Sequence, residues 1–279
     1  MIKFKIITWI GEYRRVITSQ LKGGLGNNMF QISTTYALAL DNNDTCAFDH
    51  CTSIGQDSTL AYIDNIFSRI KFLNSNEFNP ELYYYEPNFY FQKLIYRNNL
   101  KLNGYFQSSK YFDHKRKDII DLFKPTDNIM EYIDKKYSFI LNDDVTSMHV
   151  RRGDYLKTTH LSACGESYYR DALEVISSDK IVVFSDDIEW CKSNFKGSNF
   201  IFIEGEEDYI DLYLMSMCNN NIIANSSFSW WGAWLNNNKN KRVIVPNNWF
   251  NRGVKQSWCT NSNELINTKD LYCKEWEVL

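Results

Sequence analysis

The sequence predicts an α/β fold in which helices cover both faces of parallel sheets. Short apolar runs alternate regularly with amphipathic stretches through the second half of the chain. A β-turn-α unit built around a glycine-rich turn lies near the N-terminus, and the polar turn Asn142-Asp143-Asp144 precedes the regular half. Two lobes facing each other would leave a cleft at the carboxyl ends of their strands, where α/β proteins bind ligands.

The second half is predicted to contain repeated β-α units. Short β-branched runs are typical of buried strands, and apolar residues at helical spacing are typical of helices packed on a sheet. Strands are predicted over residues 147–150, 180–184, 199–203, 221–224 and 242–246. Helices are predicted over residues 166–177, 187–194, 208–218 and 228–235.

The first half is less regular. A strand over 16–21, a glycine-rich turn over 23–28 and a helix over 29–40 form one β-turn-α unit, and Pro125 separates two further helices. Those helices are predicted over 113–123 and 127–137, whereas the aromatic runs 83–85 and 89–91 are assigned to no element. The polar turn places a lobe boundary between 1–144 and 145–279.

Charge and composition bear on whether the chain binds nucleic acid or sugars. The net charge is −3 and the basic runs are short, which disfavours a nucleic-acid partner. Aromatic residues make up 16% of the chain. Sugar-binding clefts use exposed rings, but core packing is the favoured explanation for this share.

Cysteine usage and the N-terminus indicate a cytoplasmic chain. The seven cysteines form no C-x-x-C pair, and with four histidines they show no zinc-ligand spacing. Residues 1–10 are apolar but too short and too charged for a signal peptide. No stretch approaches the roughly 20 apolar residues of a membrane span, so any membrane contact would be peripheral.

Three segments follow predicted strands and carry candidate ligand-binding groups. Residues 21–31 place three glycines, including Gly24 and Gly26, between a strand and a helix. Glycine permits close backbone approach to a ligand, and a helix start presents free N–H groups. The pattern is neither a dinucleotide fingerprint nor a P-loop, and a simple turn explains it equally well.

The second segment, residues 149–155, contains His149, two adjacent arginines and Asp154. Successive strand residues point to opposite faces, so one of the two arginines can reach a ligand. Guanidinium binds phosphate in a bidentate manner and stays charged when partly buried. The flanking His and Asp favour a binding role over a surface salt-bridge cluster.

The third segment, residues 225–234, places Ser226 and Ser227 at the start of a helix. One serine is explained by N-capping, and the pair makes a phosphate site plausible. The tryptophans that follow are assigned to packing. A further acidic segment, Ser185-Asp186-Asp187, is assigned to a helix cap and local hydrogen bonds in preference to a metal site.

Together these segments resemble glycosyltransferase family 11, the α-1,2-fucosyltransferases. The resemblance runs in order from Gly23 to about Phe250, and the H-x-R-R-x-D segment is its most specific part. That segment is shared with the wider group of inverting fucosyltransferases. The segments concerned are residues 23–31, 102–107, 149–155, 184–187 and 225–233.

The resemblance implies a GT-B-like fold of two Rossmann-like lobes. The donor would be GDP-β-L-fucose, transferred with inversion and without a metal ion or other cofactor. Lobe 145–279 would bind the donor, and lobe 1–144, with its glycine-rich loop, would face the acceptor. The acceptor implied is a glycan with a terminal galactoside, fucosylated at O2.

The resemblance also implies roles for individual residues. Arg151 matches the β-phosphate ligand and His149 a nucleoside contact. Asp211, sixteen residues before Ser227, matches the residue that recognises guanine, although a solvated helix position is the alternative. Asn27 would meet the pyrophosphate and the sugar. The other donor contacts expected are Gly24, Gly26, Ser226, Ser227 and Phe228.

Two departures from the family pattern concern the chemistry. Asn28 stands where the family usually has Gln, a conservative change. Thr159 stands where the α-1,6 enzymes have their catalytic Glu, so the base is assigned to Asp154. The alternative is that Asp154 pairs with Arg152, which is expected to be a structural clamp.

Two other functions remain open at this point. One is a transferase of the same fold that uses a different nucleotide sugar. The other is a carbohydrate-binding protein without catalysis, which the aromatic share supports but the phosphate-binding segments disfavour.

Overall fold

The computed structural model describes residues 16–49, 59–74, 77, 79–255 and 264–279. Its strands are β1 (Val16–Ser19), β2 (Thr45–Cys46), β3 (Phe48–Asp49), β4 (Phe72–Leu73), β5 (Leu82–Tyr85), β6 (Leu100–Asn103), β7 (Val145–Val150), β8 (Lys180–Ser185), β9 (Phe200–Phe202), β10 (Asn220–Ile222), β11 (Val243–Val245) and β12 (Glu277–Val278). Its α-helices are α1 (Leu25–Asp41), α2 (Arg116–Phe123), α3 (Asp127–Asn142), α4 (Glu166–Val175), α5 (Ile188–Asn194), α6 (Asp208–Met217) and α7 (Ser227–Leu235).

Two parallel sheets form the framework. The first has the strand order β2-β1-β6-β5, and β3 and β4 make a separate parallel pair. The second has the order β12-β11-β10-β7-β8-β9, again with every pair parallel. All six residues of its central strand β7 are buried. Burial on both faces explains the continuous apolar runs of the second half.

The two sheets share one apolar core. Helix α7 packs against both α1 and α6, so it lies between the two halves of the chain. Phe30 of α1 lies 4.4 Å from Trp230 and 5.1 Å from Trp231, measured between ring centroids. Both indoles are fully buried, as is that of Trp234. The assignment of these tryptophans to packing is therefore confirmed.

The elements between residues 145 and 246 follow the sequence prediction closely. Strand β12 was not predicted, and the other differences lie in the first half. Helix α1 begins at Leu25, with Gly24 as N-cap, so the predicted turn over 23–28 and start at residue 29 were wrong. Helix α3 runs on to Asn142 through a non-helical Tyr137. The 83–85 aromatic run belongs to the edge strand β5.

The predicted lobe boundary falls between α3 and β7. Helix α3, which precedes that boundary, packs against α6 of the second half. From the other direction, the Asp270 carboxylate accepts hydrogen bonds from Lys110 at 2.5 Å and from the Phe91 N–H at 3.1 Å. Elements of the two halves thus contact each other at more than one place, and the division at residue 144 stays a prediction.

Two further findings, on membrane spans and on disulfides, concern only the residues that the structure describes. None of their helices is long and apolar enough to cross a membrane. The five cysteines within the described ranges carry free thiols, namely Cys46, Cys164, Cys191, Cys218 and Cys273. The residues 1–10, Cys51 and Cys259 lie outside the described ranges.

Candidate active site

A cleft of about 420 Å³ opens at the carboxyl ends of β7, β8 and β10, facing the start of α1. This is the edge at which parallel sheets bind ligands. The structure brings all the sequence-predicted site residues together in its wall. They are Gly24, Gly26, Asn27, His149, Arg151, Asp154, Asp211, Ser226, Ser227 and Phe228.

Two helices begin at this cleft and touch each other. A Cβ atom at Gly26, in the first turn of α1, would lie 2.5 Å from the Ser227 carbonyl carbon and 2.6 Å from the Phe228 nitrogen. Only glycine allows this approach. Ser226 caps α7, and its hydroxyl accepts a hydrogen bond from the Phe228 N–H at 3.4 Å. The positive ends of two helix dipoles therefore converge on one point, which favours an anion there.

Arg151 is the cationic group of the cleft. Its Nη2 lies 2.6 Å from Asp154 Oδ1, and its Nη1 lies 3.3 Å from Asp186 Oδ2. The side chain retains 30% exposure. The two carboxylates hold the guanidinium in position while one side stays accessible to a ligand. The alternative pairing of Asp154 with Arg152 was wrong, because Asp154 pairs with Arg151.

Arg152 lies outside the cleft wall and supports it. Its Nε donates to Asp187 Oδ2 at 3.0 Å, and its guanidinium lies 4.0 Å from the Trp190 ring centroid. Asp187 also caps α5 by accepting from the Trp190 N–H. The predictions of a structural clamp at Arg152 and a helix cap at Asp187 are confirmed. Within the described ranges, no group of three His, Cys, Asp or Glu side chains is arranged to hold a metal ion.

His149 is a neutral, buried group beneath the cleft. It is 5% exposed, and burial together with the nearby Arg151 charge lowers its pKa to about 3. Its ring centroid lies 5.5 Å from that of Phe228. Its Nδ1 has no hydrogen-bond partner among the described residues. At neutral pH the imidazole can therefore exchange neutral hydrogen bonds with a ligand.

A carboxyl group with a perturbed pKa lines the cleft. Burial, reinforced by the Glu206 and Asp208 charges, raises the pKa of Asp211 from 3.8 to about 8. Asp211 Oδ1 is buried and, within the described part of the chain, has no hydrogen-bond partner. The alternative of a solvated Asp211 was therefore wrong. Such an orphaned oxygen calls for a donor from a ligand.

Glu206 and Asp208 were missed at the sequence level. Both line the cleft. Glu206 accepts from the hydroxyls of Tyr132 and Tyr137 and pairs with Lys136, and all three partners lie on α3. The acidic run at the start of α6 resembles an ordinary helix N-terminus, so the sequence alone does not indicate a binding site there. What sets Glu206 apart is its set of contacts with α3, which are distant in sequence.

Asn27 is also held by a residue that the sequence did not single out. Gln107 Nε2 donates to Asn27 Oδ1 at 2.7 Å across 80 positions of the chain. Gln107 belongs to the 102–107 segment of the family resemblance, which carried no assigned role. Other missed residues of the cleft wall include Tyr155, Leu161 and Phe184.

Comparison with known proteins gives one family match over nearly the whole chain. The model of glycosyl transferase family 11 matches residues 4–276. O-antigen biosynthesis glycosyltransferase WbnK of Escherichia coli is 32% identical, covering 83% of this chain and 94% of the relative. An alpha-1,2-colitosyltransferase of Escherichia coli is 34% identical, covering 85% and 93%. Galactoside alpha-(1,2)-fucosyltransferase 2 of Pongo pygmaeus is 29% identical, covering 80% and 70%.

Solved structures with a similar fold are fucosyltransferases. NodZ from Bradyrhizobium superposes with a TM-score of 0.53 at 14% identity, covering 78% of this chain and 92% of NodZ. NodZ alpha-1,6-fucosyltransferase soaked with GDP-fucose gives a TM-score of 0.52 at 13% identity, covering 80% and 92%. These likenesses confirm the GT-B-like α/β fold with parallel sheets.

Proposed function

The chain belongs to glycosyltransferase family 11, and from that premise we propose that it transfers L-fucose from GDP-β-L-fucose to a glycan acceptor. The acceptor atom we propose is O2 of a terminal galactose, giving an α-1,2 linkage. Relatives named as α-1,2 fucosyl- and colitosyltransferases support this linkage. A fold neighbour soaked with GDP-fucose supports the donor.

The observation that carries the proposal is the meeting of one guanidinium and two helix starts in a single cleft. Arg151, the first turn of α1 and the Ser226-capped start of α7 all line it. Their charges and N–H groups suit a pyrophosphate. A volume of about 420 Å³ lies within the usual range of small-molecule sites.

The same elements account for leaving-group chemistry. As the acceptor oxygen bonds to the anomeric carbon, the bond from that carbon to the β-phosphate oxygen breaks, and negative charge accumulates on GDP. Arg151, Ser227 and the α7 N–H groups would stabilise that charge. Attack from the face opposite GDP converts the β-linked donor into an α-linked product, with inversion.

The nucleoside would occupy the part of the cleft that Asp211 lines. Guanine presents an N1–H and an exocyclic amino group, and Asp211 Oδ1 is a buried acceptor that lacks a partner within the described residues. His149 and Phe228 would complete the nucleoside contacts, while Gly24, Gly26 and Asn27 would lie against the pyrophosphate and sugar.

We assign the general base to Asp154. Its carboxylate forms an ion pair with Arg151. A bound pyrophosphate would take over the guanidinium and release the carboxylate to accept the acceptor hydroxyl's proton. For Asp154→Asn, a fall in kcat with unchanged GDP affinity would support this role, and a change in GDP affinity alone would contradict it.

The central test is Arg151→Ala. We expect transfer from GDP-fucose to fall by about 10²–10³-fold, because one charge-stabilising donor is lost, while the unfolding temperature changes little. Arg170→Ala is the matched control, since Arg170 forms a surface ion pair with Glu166 on α4. The measurement is product formation with each variant over a panel of galactosides. Near-normal turnover of Arg151→Ala would exclude the phosphate role.

We also propose that transfer needs no metal ion. Asp186 and Asp187, the adjacent acidic residues that follow β8, are engaged by Arg151 and Arg152. Guanidinium charge thus stands where a metal transferase would use a cation. Activity should persist in excess EDTA. Loss of activity that Mn²⁺ restores would contradict this expectation.

A second donor is favoured by one observation. The Escherichia coli relative at 34% identity is named as a colitosyltransferase, so its donor sugar differs from fucose. A direct competition between GDP-fucose and nucleotide-linked colitose, with linkage analysis of the product, decides between the two donors.

A further inference from the structure

A second cavity, of about 220 Å³, adjoins the cleft and is here called the aromatic chamber. Its wall contains Asn27, Phe89, Tyr105, Gln107, Tyr155, His160, Leu161, Ser227, Trp249 and Phe250. Four of these residues, Asn27, Tyr155, Leu161 and Ser227, also line the cleft. The two cavities therefore share the part of their walls that these four residues form.

The two cavities differ in chemistry. The cleft wall carries Arg151 and five carboxylates. Among its described residues, the chamber wall contains no Asp, Glu, Lys or Arg. Its ionisable groups are His160 and two tyrosines. A charged ligand portion therefore suits the cleft, and a neutral portion suits the chamber.

Half of the ten residues named in the chamber wall are Phe, Tyr or Trp. The Phe89 and Phe250 rings pack edge to face, with centroids 5.1 Å apart at 83°. The Lys22 ammonium lies 4.7 Å from the centroid of the Tyr105 ring, so that ring is held in place from outside the chamber wall. Trp249 is 4% exposed. Flat apolar surfaces of this kind pack against the C–H face of a pyranose ring.

The polar side of the chamber is built in advance of any ligand. The fully buried Glu86 accepts from the N–H groups of Tyr105 at 2.7 Å and Phe106 at 3.0 Å. Phe106 adopts a positive φ of 53°, a conformation that the surroundings must enforce. The loop so fixed presents Gln107, whose amide is bonded to Asn27 at 2.7 Å. An amide both donates and accepts, which suits sugar hydroxyls.

We propose that the aromatic chamber binds the terminal neutral pyranose of the acceptor, with Tyr105 and Phe250 as its stacking surfaces and Gln107 as a hydroxyl ligand. The shared wall would then present one acceptor hydroxyl to the anomeric carbon of a donor held in the cleft. This inference rests on the proposed function and adds to it the residues that select the acceptor.

The test separates acceptor binding from donor binding. Tyr105→Ala and Phe250→Leu each remove a ring, and Tyr105→Phe retains it. Tyr83→Ala is the matched control, because Tyr83 is 54% exposed on β5 and lies in neither cavity wall. Three quantities are measured for each variant: the acceptor KM, the GDP-fucose KM, and the slow hydrolysis of GDP-fucose without acceptor.

We expect the acceptor KM to rise about tenfold in Tyr105→Ala and Phe250→Leu, which remove uniform binding of the acceptor. Tyr105→Phe keeps the ring and should raise the acceptor KM less than Tyr105→Ala does. Tyr83→Ala should match wild type in all three quantities, and the GDP-fucose KM should not rise in any of the four variants. Unchanged acceptor KM in both ring deletions would overturn the chamber assignment, as would a parallel rise of both KM values. A wild-type protein that neither transfers nor hydrolyses fucose from GDP-fucose would instead overturn the proposed function, and this inference with it.

Discussion

At the scale of single residues, Asp211 has the most unusual environment in the cleft. Its pKa lies near 8 because burial removes water from the carboxyl group and two acidic neighbours oppose its ionisation. The unfolded chain would release this proton near pH 4. Between about pH 4 and pH 8 the folded chain thus holds a proton that the unfolded chain has lost, so this group's contribution to stability falls as pH rises.

This environment predicts a pH dependence of nucleotide binding. Guanine offers hydrogen-bond donors, which favour the ionised carboxylate, so GDP binding near pH 7 should release a proton from Asp211. We expect the Kd for GDP to decrease as pH rises from 6 to 8, with Asp211→Asn removing that dependence. Calorimetry in two buffers of different ionisation enthalpy measures the proton release. Asp121→Asn on the exposed surface of α2 is the control, and a pH-independent Kd in the wild type would contradict the assignment.

At the scale of elements, the contact between the starts of α1 and α7 decides whether the cleft exists. The two N-termini line the same cavity, so both would act on one bound anion. The contact depends on Gly26, whose missing side chain leaves room for the Ser227–Phe228 backbone. Backbone atoms cannot move aside as a flexible side chain can.

Two glycine substitutions test this contact. Gly26→Ala should destabilise the fold by about 1–3 kcal/mol, the usual cost of overpacking, because its Cβ would lie 2.5 Å from a backbone carbon. Gly24→Ala is the matched control for stability, since its Cβ would have no neighbour within 4 Å among the described residues. Replacing Gly by Ala at an N-cap costs about 1 kcal/mol or less. Denaturant unfolding measures both, and equal stability of the two variants would rule out the close contact.

At the scale of the whole molecule, the halves are joined by a single core. One apolar cluster includes Ile17 and Phe30 from the first half together with Trp230 and Val245 from the second. The proposed ligand would bridge the same two halves, because α1 and α7 both line the cleft. Folding and nucleotide binding should therefore be coupled across the chain.

This coupling predicts a single cooperative thermal unfolding transition, and GDP should shift the whole transition to a higher temperature. At a concentration of about 100 times its Kd, a ligand that binds only the folded state stabilises by about 2.7 kcal/mol. For a chain of this size that corresponds to a shift of roughly 5 °C. Scanning calorimetry with GDP and with UDP measures it. Two separate transitions would argue against a shared core, and no shift with GDP would argue against the nucleotide site.

Short-range sequence patterns were sufficient to predict many of the strands and helix caps. The strands of the second half, the Ser226 cap of α7 and the Asp187 cap of α5 depend on residues within a few positions, so periodicity and capping chemistry predict them. The start of α1 was misplaced because Gly26 and its neighbours resemble a turn. They are helical because α7 packs against them.

By itself, the sequence determined the α/β class, the order of the alternating strands and helices between residues 145 and 246, and the segments that carry the candidate chemistry. Only the tertiary structure decided that Asp154 pairs with Arg151, that Asp211 Oδ1 is buried, and that Gln107 donates a hydrogen bond to Asn27. The aromatic chamber likewise combines segments more than 150 positions apart. The periodicity of apolar residues predicts which face of a helix or strand is apolar. Burial, pKa and long-range pairing depend on which distant element covers that face.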